Sequence, residues 1–324
     1  MPEKTDLQAL KVLVVGGAGF IGSHVCDALI KNGAEVTVLD NLISGNLENL
    51  AHIKDKLRFI RGDITNFEQT SHAAKDQDVI IHEAFPAAIC DLSPEKQFIT
   101  TGTLGTYNLL RAALANDSVF IYASSISVYG TQVSSPITES HPLDPIVAYG
   151  ATKLSGEIYC RAFQREHGLN NVILRYSDVY GPRFNRISAP IAFLLKGLKK
   201  EPLQIHGDGS QARDYTYVTD IAEGTALAIN KKSYGGVFNI ASGTNISILE
   251  LSKKVNVITE NDSGIALIPT EKVDTQKYVA EDERKYCIDT TKAKRALCYE
   301  PKVSLDLGLE LTKEWIIKEY HKFR

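Results

Sequence analysis

The chain has 324 residues, of which 44% are hydrophobic and 23% are charged, and its formal net charge is −3. This composition is that of an ordinary globular protein of about two domains, and the charge gives no electrostatic case for nucleic acid or an anionic membrane surface. The sequence contains no apolar run of signal-peptide or membrane-spanning length. Its five scattered cysteines form no C-x-x-C pair, so they predict neither a disulfide framework nor a metal site, and we expect a cytoplasmic protein.

Six short apolar runs in the first half predict buried β-strands. They are rich in β-branched residues and lack strict alternation, as expected of strands covered on both faces. The runs are KVLVV (11–15), EVTVLD (35–40), LRFIRGD (57–63), DVIIHEA (78–84), VFIYASS (119–125) and NVILRY (171–176). Helix-patterned segments separate them; in the first, Ile21, Val25 and Leu29 recur at helical spacing before a stop at Asn32-Gly33. This alternation predicts an α/β fold with a Rossmann-type, doubly wound parallel sheet.

The pattern becomes looser after Tyr176. Residues 217–231 have a helical pattern, residues 236–242 resemble one more strand, and Leu305, Leu309, Thr312 and Ile316 fall on one face of a final helix. We therefore predict two interleaved lobes. The Rossmann domain comprises residues 1–177, with 216–243 returning to it, and a smaller, mostly helical substrate-binding lobe lies within 178–324, mainly in 178–215 and 244–324.

A glycine-rich segment follows the first predicted strand. VLVVGGAGFIGSH places Gly16, Gly19 and Gly22 where the backbone can turn tightly and approach a pyrophosphate at the helix N-terminus. Alone, this spacing is equally typical of a tight strand–helix turn. Asp40, at the end of the next strand, adds a carboxylate that can bind ribose hydroxyls and would repel a 2′-phosphate, and residues 41–50 contain no Arg or Lys. The sequence therefore predicts NAD, and not NADP, as the cofactor.

A tyrosine and a lysine lie four residues apart in VAYGATK, at the start of a helix-patterned segment. This spacing also arises by chance, so its context decides. The strand 119–125 ends in serines, and open parallel sheets bind ligands beyond the carboxyl ends of their strands, although such serines also commonly satisfy loose backbone groups. The ammonium of Lys153 and a positive nicotinamide ring would stabilise the phenolate of Tyr149, while Ser125 holds a substrate hydroxyl. This set suits the oxidation of a carbinol.

These motifs together resemble those of the extended short-chain dehydrogenase/reductases, specifically the NAD-dependent nucleotide-sugar epimerases and dehydratases. The matching segments span essentially the whole chain: GGAGFIGSH, LDNLISGNLENL, GDITN, SSISVYG, YGATK, RYSDVYGPR, GDGSQARDYTYVTDIA, FNIASG and RKYCIDTTKAKRAL. The resemblance implies Ser125, Tyr149 and Lys153 as the catalytic residues. It also implies a cofactor site made of Gly16, Gly19, Phe20, Ile21, Gly22, Asp40, Asn41, Ser44, Gly45, Asp63, Ile64, Ala84, Tyr149, Lys153 and Tyr176. Asp63 fits a turn carboxylate as well as it fits a contact with adenine.

The resemblance further implies a nucleotide-sugar-binding lobe, a UDP-sugar substrate and a homodimer formed by the helix that begins at Tyr149 and the helix before residues 119–125. The implied substrate-binding residues are Ser125, Ser127, Tyr149, Asp178, Gln204, His206, Arg213, Arg284 and Tyr286. Arginine forks suit phosphate oxygens, and Gln204 and His206 stand where the base is usually contacted. His206 fits an ordinary, partly buried histidine nearly as well. Tyr286 stands beside the sugar C2 substituent.

The residues after the catalytic serine separate the reactions of this family. The 4,6-dehydratases carry Asp-Glu there and the sugar-acid decarboxylases carry Glu, whereas this chain has Ile126-Ser127. The resemblance therefore implies a 4-epimerase of UDP-hexose or UDP-hexuronate, which acts through a 4-keto intermediate with transient hydride transfer to bound NAD.

The chain departs from the family at four positions: Glu83 and Phe85 replace small apolar residues, Gly102 replaces a common Asn, and Asp178 replaces a usual Asn. Two alternatives therefore stay open. One is dehydration or another outcome of the same 4-keto intermediate, with Asp178 or Glu83 as an added acid–base group. The other is a non-catalytic NAD-binding regulatory protein; such relatives typically lose the tyrosine or the lysine, and both are present here.

Overall fold

The structure is a computed structural model that describes residues 7–86, 94–269 and 286–319. Its strands are β1 (Lys11–Val15), β2 (Glu35–Asp40), β3 (Leu57–Arg61), β4 (Val79–His82), β5 (Val119–Ser125), β6 (Asn171–Tyr176), β7 (Asp178–Tyr180), β8 (Leu203–His206), β9 (Ala212–Arg213), β10 (Tyr215–Tyr217), β11 (Val237–Ile240), β12 (Ile246–Ser247) and β13 (Ile265–Ile268). Its helices are α1 (Phe20–Lys31), α2 (Phe67–Ala74), α3 (Pro94–Gln97), α4 (Thr106–Ala115), α5 (Ala148–His167), α6 (Ala189–Leu198), α7 (Val218–Leu227), α8 (Ile248–Ile258), α9 (Thr291–Leu297) and α10 (Leu305–Glu319). A π-helical segment, Phe98–Gly105, joins α3 to α4, and 3₁₀ segments cover Leu47–Lys56, Ile126–Val128 and Lys231–Ser233.

A seven-stranded parallel sheet organises the first part of the chain, in the order β11-β6-β5-β4-β1-β2-β3. Helices α1, α7 and α9 pack on one face of this sheet, and α2, α4 and α5 pack on the other. Burial on both faces explains why the central strands are mostly apolar, whereas β3, at one edge of the sheet, is partly exposed and carries two arginines. The strand order reverses between β1 and β4, which is the topological switch point of a doubly wound sheet. The predicted fold class is confirmed.

The strand bounds agree best where an apolar run stands between clear turn signals. β1, β2, β5 and β6 coincide with the predicted runs, whereas β3, β4 and β11 are shorter than predicted. β3 ends early because the Asp63 carboxylate accepts hydrogen bonds from the backbone and hydroxyl of Thr65 and so begins a turn. The helix predicted over 217–231 ends at Leu227, and the Asn230 side chain caps the 3₁₀ segment that follows.

A second hydrophobic cluster gathers the elements that follow β6. It joins α6, α8 and α10, and on α10 it buries Leu309 and Ile316. Three two-stranded pairs support it: β7 with β10, β8 with β13, and β9 with β12. α8 begins with a capping box between Ser247 and Glu250. Over the ranges that the structure describes, no helix combines the length and the apolar character needed to cross a membrane.

Candidate active site

A cleft of about 1280 Å³ opens at the carboxyl ends of the central strands. Each of the strands β1 to β6 contributes to its wall a residue that ends the strand or directly follows it, and the opposite wall comes from residues within 185–215, Ile248 and Tyr286. Every predicted site residue that the structure describes lines this cleft. Arg284 lies outside the described residues. A cleft at the switch point of a doubly wound sheet is where such folds bind their ligands.

The glycine-rich loop forms a cradle at the base of the cleft. Gly16 has a φ of +81°, and a Cβ on it would lie 2.6 Å from the backbone of Ala84, so a larger residue would push two strand ends apart. Helix α1 starts after Gly19, and among the described residues no side chain caps it. The N–H groups of its first turn can therefore bind an anion such as a pyrophosphate.

The second part of this cradle is the carboxylate of Asp40. It is buried and accepts backbone hydrogen bonds from Ala18 at 3.0 Å and Leu42 at 2.8 Å. Burial raises the pKa of Asp40, although the two hydrogen bonds lower it. Each of its oxygens keeps a second acceptor site for a ribose hydroxyl. The uncapped helix, the close-packed Gly16 and this fixed carboxylate fit a dinucleotide.

Asp63 is used differently. Its carboxylate accepts hydrogen bonds from the Asn41 side chain at 3.0 Å and from Thr65 at 2.8 Å. It therefore serves as a turn carboxylate that also holds Asn41 in place beside Asp40. Its contact with adenine stays a prediction.

Tyr149 and Lys153 lie in the first turns of α5 and face the cleft together. The Lys153 side chain is buried, and its Nζ donates a hydrogen bond of 2.8 Å to the carbonyl of Ala123. The Tyr149 ring packs edge-on against Phe85, with 5.1 Å between the ring centroids. The structure thus brings Tyr149, the predicted base, and Lys153, its predicted cation, to the end of β5. The Ala123 carbonyl that Lys153 contacts is two residues before Ser125.

Ser125 ends β5 and begins the 3₁₀ segment Ile126–Val128. Its hydroxyl accepts a hydrogen bond from the backbone N–H of Ser127 at 3.2 Å. Its own O–H can then donate to a ligand in the cleft. Ile126, the residue directly after Ser125, is buried in an apolar cluster with Val128 and Tyr129.

A buried ion pair that the sequence analysis missed fixes α5 against the sheet. Glu157 and Arg175 are both essentially inaccessible, and two hydrogen bonds of 2.8 and 2.7 Å join them. Glu157 also accepts from Ser124 on β5 at 2.7 Å and from Arg161 at 2.7 Å. Because this carboxylate ties α5 to β5 and β6, it sets the position of the Tyr149 face of the helix. Glu157 and Arg175 are 18 residues apart in the sequence, so no local sequence pattern predicts their pairing.

Glu83, a departure from the family pattern, is part of a second network at the end of β4. It accepts a hydrogen bond of 2.8 Å from the Tyr176 hydroxyl, which also bonds Thr225 at 2.7 Å. Burial raises the pKa of Glu83 to about 7, while the hydrogen bond from Tyr176 and the charge of Lys153 lower it. Burial lowers the pKa of Lys153 to about 8, and the charge of Glu83 acts in the opposite direction.

Two further departures, Phe85 and Gly102, are neighbours in space. A Cβ on Gly102 would collide first with the Thr152 side chain and would lie 2.8 Å from the Phe85 ring, so both side chains use the room that the missing Cβ leaves. The ring in turn lies under the Lys153 ammonium, 4.4 Å from its Nζ. Phe85 therefore forms an aromatic wall beside Tyr149 and Lys153.

The predicted substrate residues lie on the opposite wall. Gln204 and His206 are on the exposed side of β8, and Gln204 accepts a hydrogen bond from Lys196 at 2.9 Å. The Arg213 guanidinium lies over the Tyr286 ring, 5.5 Å from its centroid, and the Tyr286 hydroxyl donates to the Gly130 carbonyl. Asp178 begins β7, where its backbone N–H pairs with the Asp214 carbonyl. The roles of these residues toward a ligand stay predictions.

Comparison with known proteins agrees with this geometry. Residues 12–241 match the NAD dependent epimerase/dehydratase family. The UDP-glucose 4-epimerase of Thermotoga maritima, solved with UDP-glucose, is 36% identical with a TM-score of 0.86, over 96% of this chain and 100% of that one. The UDP-glucuronic acid 4-epimerase of Bacillus cereus, solved with UDP-glucuronic acid and NAD, is 34% identical with a TM-score of 0.86, over 95% and 99%.

The sequence relatives extend beyond epimerases. The UDP-N-acetyl-alpha-D-glucosaminuronate decarboxylase of Bacillus cytotoxicus is 32% identical over 94% of this chain and 97% of its own length. The predicted resemblance to the extended short-chain dehydrogenase/reductases is confirmed, and so is NAD as the cofactor. With a matching family pattern over most of its length and a fitting cofactor cradle, the chain belongs to the NAD-dependent epimerase/dehydratase family.

Proposed function

We propose that this protein is a nucleotide-sugar 4-epimerase that acts on a UDP-hexose or UDP-hexuronate. The observation that carries the proposal is the convergence of Ser125, Tyr149 and Lys153 on the NAD cleft, while the residue after Ser125 is the buried Ile126. That set can remove a proton from a carbinol and return it, and it offers no carboxylate at the position where the dehydratases and decarboxylases of the family carry one.

The proposed chemistry divides among three side chains. Tyr149, as a phenolate, takes the proton of the sugar 4-hydroxyl, and the Lys153 ammonium stabilises the negative charge of that phenolate. Ser125 donates a hydrogen bond to the sugar oxygen throughout. Bound NAD supplies the two-electron acceptor that makes the 4-keto sugar and returns the electrons. If the 4-keto sugar rotates in the cleft and presents its other face before it is reduced and Tyr149 returns the proton, the product has the opposite configuration at C4.

A second candidate rests on the carboxylates of the cleft wall. Glu83 and Asp178 both line the cleft, and either would be an added acid–base group for dehydration or another conversion of the 4-keto sugar. The hydrogen bond from Tyr176 to Glu83 argues against a direct role for Glu83, because it turns one carboxylate oxygen toward β6 and α7. The epimerase proposal is therefore the one that we favour.

Product analysis separates these candidates. The purified protein is incubated with UDP-, GDP-, CDP- and dTDP-sugars, and the products are identified by NMR. Interconversion of C4 epimers of one UDP-sugar supports the proposal. A 4-keto-6-deoxy product identifies a dehydratase, and loss of a carboxyl group identifies a decarboxylase. If no sugar is converted although NAD is bound, the protein is a non-catalytic member of the family.

The side chain of Tyr286 is proposed to set the size of the sugar C2 substituent. Only 2% of it is exposed, and it lines the cleft next to the Arg213 guanidinium. Fitting an N-acetyl group against this ring should cost roughly ten- to a hundredfold in kcat/KM relative to the 2-hydroxy sugar. Tyr286→Ser should reduce that preference, whereas Tyr286→Phe, which keeps the ring, should retain it. A wild-type preference for the acetylated sugar would remove Tyr286 as the gate.

We also propose that the protein is a homodimer that associates through α4 and α5. Four large apolar side chains on these helices are exposed in the single chain: Tyr107, Leu114, Ile158 and Tyr159. Such a surface is typical of an interface between subunits.

A further inference from the structure

The ammonium of Lys153 lies in a confined and largely apolar setting. Its exposed fraction is 5%, and the carbonyl of Ala123 is the acceptor of its hydrogen bond. Aromatic rings surround it, with their centroids 4.4 Å (Phe85), 5.5 Å (Tyr122) and 5.9 Å (Tyr149) from Nζ. A charge removed from water in this way is held only if an opposite charge or strong dipoles compensate it.

The compensating charge comes from Glu83. Glu83 directly follows β4, one position beyond the paired His82 and Tyr122, and so stands beside Ala123, whose carbonyl accepts the Lys153 hydrogen bond. From there its carboxylate favours the protonated form of Lys153, although no ion pair within 4.0 Å joins these two described residues. The carboxylate is held in place from the far side, because Tyr176 donates to it and Tyr176 is itself bonded to Thr225. The backbone of Glu83 is fixed as well, through a 2.9 Å hydrogen bond from its N–H to the Val15 carbonyl. The position of this negative charge relative to Lys153 is therefore built into β4, β6 and α7.

Four other titratable groups near this pair, among the residues that the structure describes, are uncharged near neutral pH. Burial lowers the pKa of His82 to about 3, and it raises the pKa values of the phenols and the thiol that face the pair. These neighbours are His82 on β4, Tyr122 on β5, Tyr176 on β6 and Cys26 on α1. Among these described groups, Glu83 is thus the one whose charge changes in a pH range that overlaps that of Lys153.

We propose that Glu83 is a positioning residue that keeps Lys153 protonated beside Tyr149, so that its charge, and not contact with the substrate, supports the reaction. The role rests on the proposed function of Lys153, but it can be tested on the lysine directly. Since a carboxylate favours the protonated form of a nearby lysine, removing it must lower the pH at which Lys153 loses its proton. Removing the carboxylate changes the Lys153 titration only at pH values where Glu83 is ionised in the wild type, that is, above about pH 7.

The test compares the wild type with Glu83→Gln, which keeps an oxygen to accept the Tyr176 hydrogen bond and removes the charge. In the NAD-loaded protein with lysine labelled by ¹³C at the ε-carbon, the Lys153 resonance is assigned by its absence in Lys153→Met. Its titration midpoint should fall by about one pH unit or more in Glu83→Gln. The alkaline limb of the kcat profile should move in the same direction, and the profiles of the two proteins should converge at acid pH.

Two further variants keep the test decisive. Thr225→Val removes a hydrogen bond of the same network without changing charge, and the Lys153 midpoint should stay where it is in the wild type. If Glu83→Gln does not fold, Glu83→Leu provides the uncharged comparison. An unchanged Lys153 titration in the uncharged variant overturns the proposal. Because the NMR midpoint does not depend on the reaction, a missing 4-epimerase activity would overturn the proposed function and leave this result standing.

Discussion

Replacing Tyr149 by Phe is expected to lower kcat by about 10²–10⁴-fold, because the variant loses the group proposed to take up and return the substrate proton. The fold and NAD binding should be retained. The edge-on contacts with Phe85 and Phe98 are made by the aromatic ring, which phenylalanine keeps. Steady-state kinetics together with the bound NAD content of the purified variant provide the measurement.

Tyr159 offers a matched control on the same helix. It lies in α5, its side chain is 38% exposed, and it packs against Tyr107 away from the cleft. Tyr159→Phe should therefore leave kcat and KM near the wild-type values. Wild-type turnover in Tyr149→Phe would remove Tyr149 from the mechanism, whatever the reaction proves to be.

The second large effect is expected for stability. Glu157→Gln should lower the free energy of unfolding by about 3–5 kcal/mol, because it leaves the Arg175 guanidinium, which is 1% exposed, without its paired charge. Ser124 and Arg161 lose the same carboxylate acceptor. Since this carboxylate joins α5 to β5 and β6, catalysis should weaken before the protein unfolds. Denaturant unfolding, with kcat followed in parallel, tests both consequences.

Arg161→Gln is the control for that experiment. Arg161 reaches the same Glu157 oxygen at 2.7 Å, but its side chain is 34% exposed. A partly exposed pair of this kind contributes only about 0.2–1 kcal/mol. A loss in Glu157→Gln no larger than that in Arg161→Gln would show that the buried pair does not hold α5 in place.

The sequence predicted the parts of the site that short, continuous segments encode. The glycine loop, Asp40, Ser125 and the pair of Tyr149 and Lys153 each sit in a segment whose local structure the apolar pattern already indicates. The topology of a parallel sheet then brings the strand ends together. For this reason the described residues predicted from widely separated motifs line one cleft.

What the sequence could not give is the pairing of side chains across elements. Glu157 meets Arg175 because α5 packs its carboxylate against β5 and β6. The sequence around neither residue indicates this pairing. Phe85 and Gly102 each stood out as departures, but their proximity appears only in three dimensions. The same holds for Glu83, whose partner Tyr176 lies two strands away in the sheet.

The most direct test of the central claim is turnover in D₂O without added NAD. A UDP-hexose or UDP-hexuronate accepted by the protein is followed by NMR, and the absorbance of reduced nicotinamide is recorded at the same time. A 4-epimerase should form the C4 epimer without deuterium at any sugar carbon and without accumulating reduced nicotinamide, since the hydrogen removed from C4 is returned to it. Deuterium bound to a carbon of the sugar product, or stoichiometric release of reduced nicotinamide, would contradict 4-epimerisation.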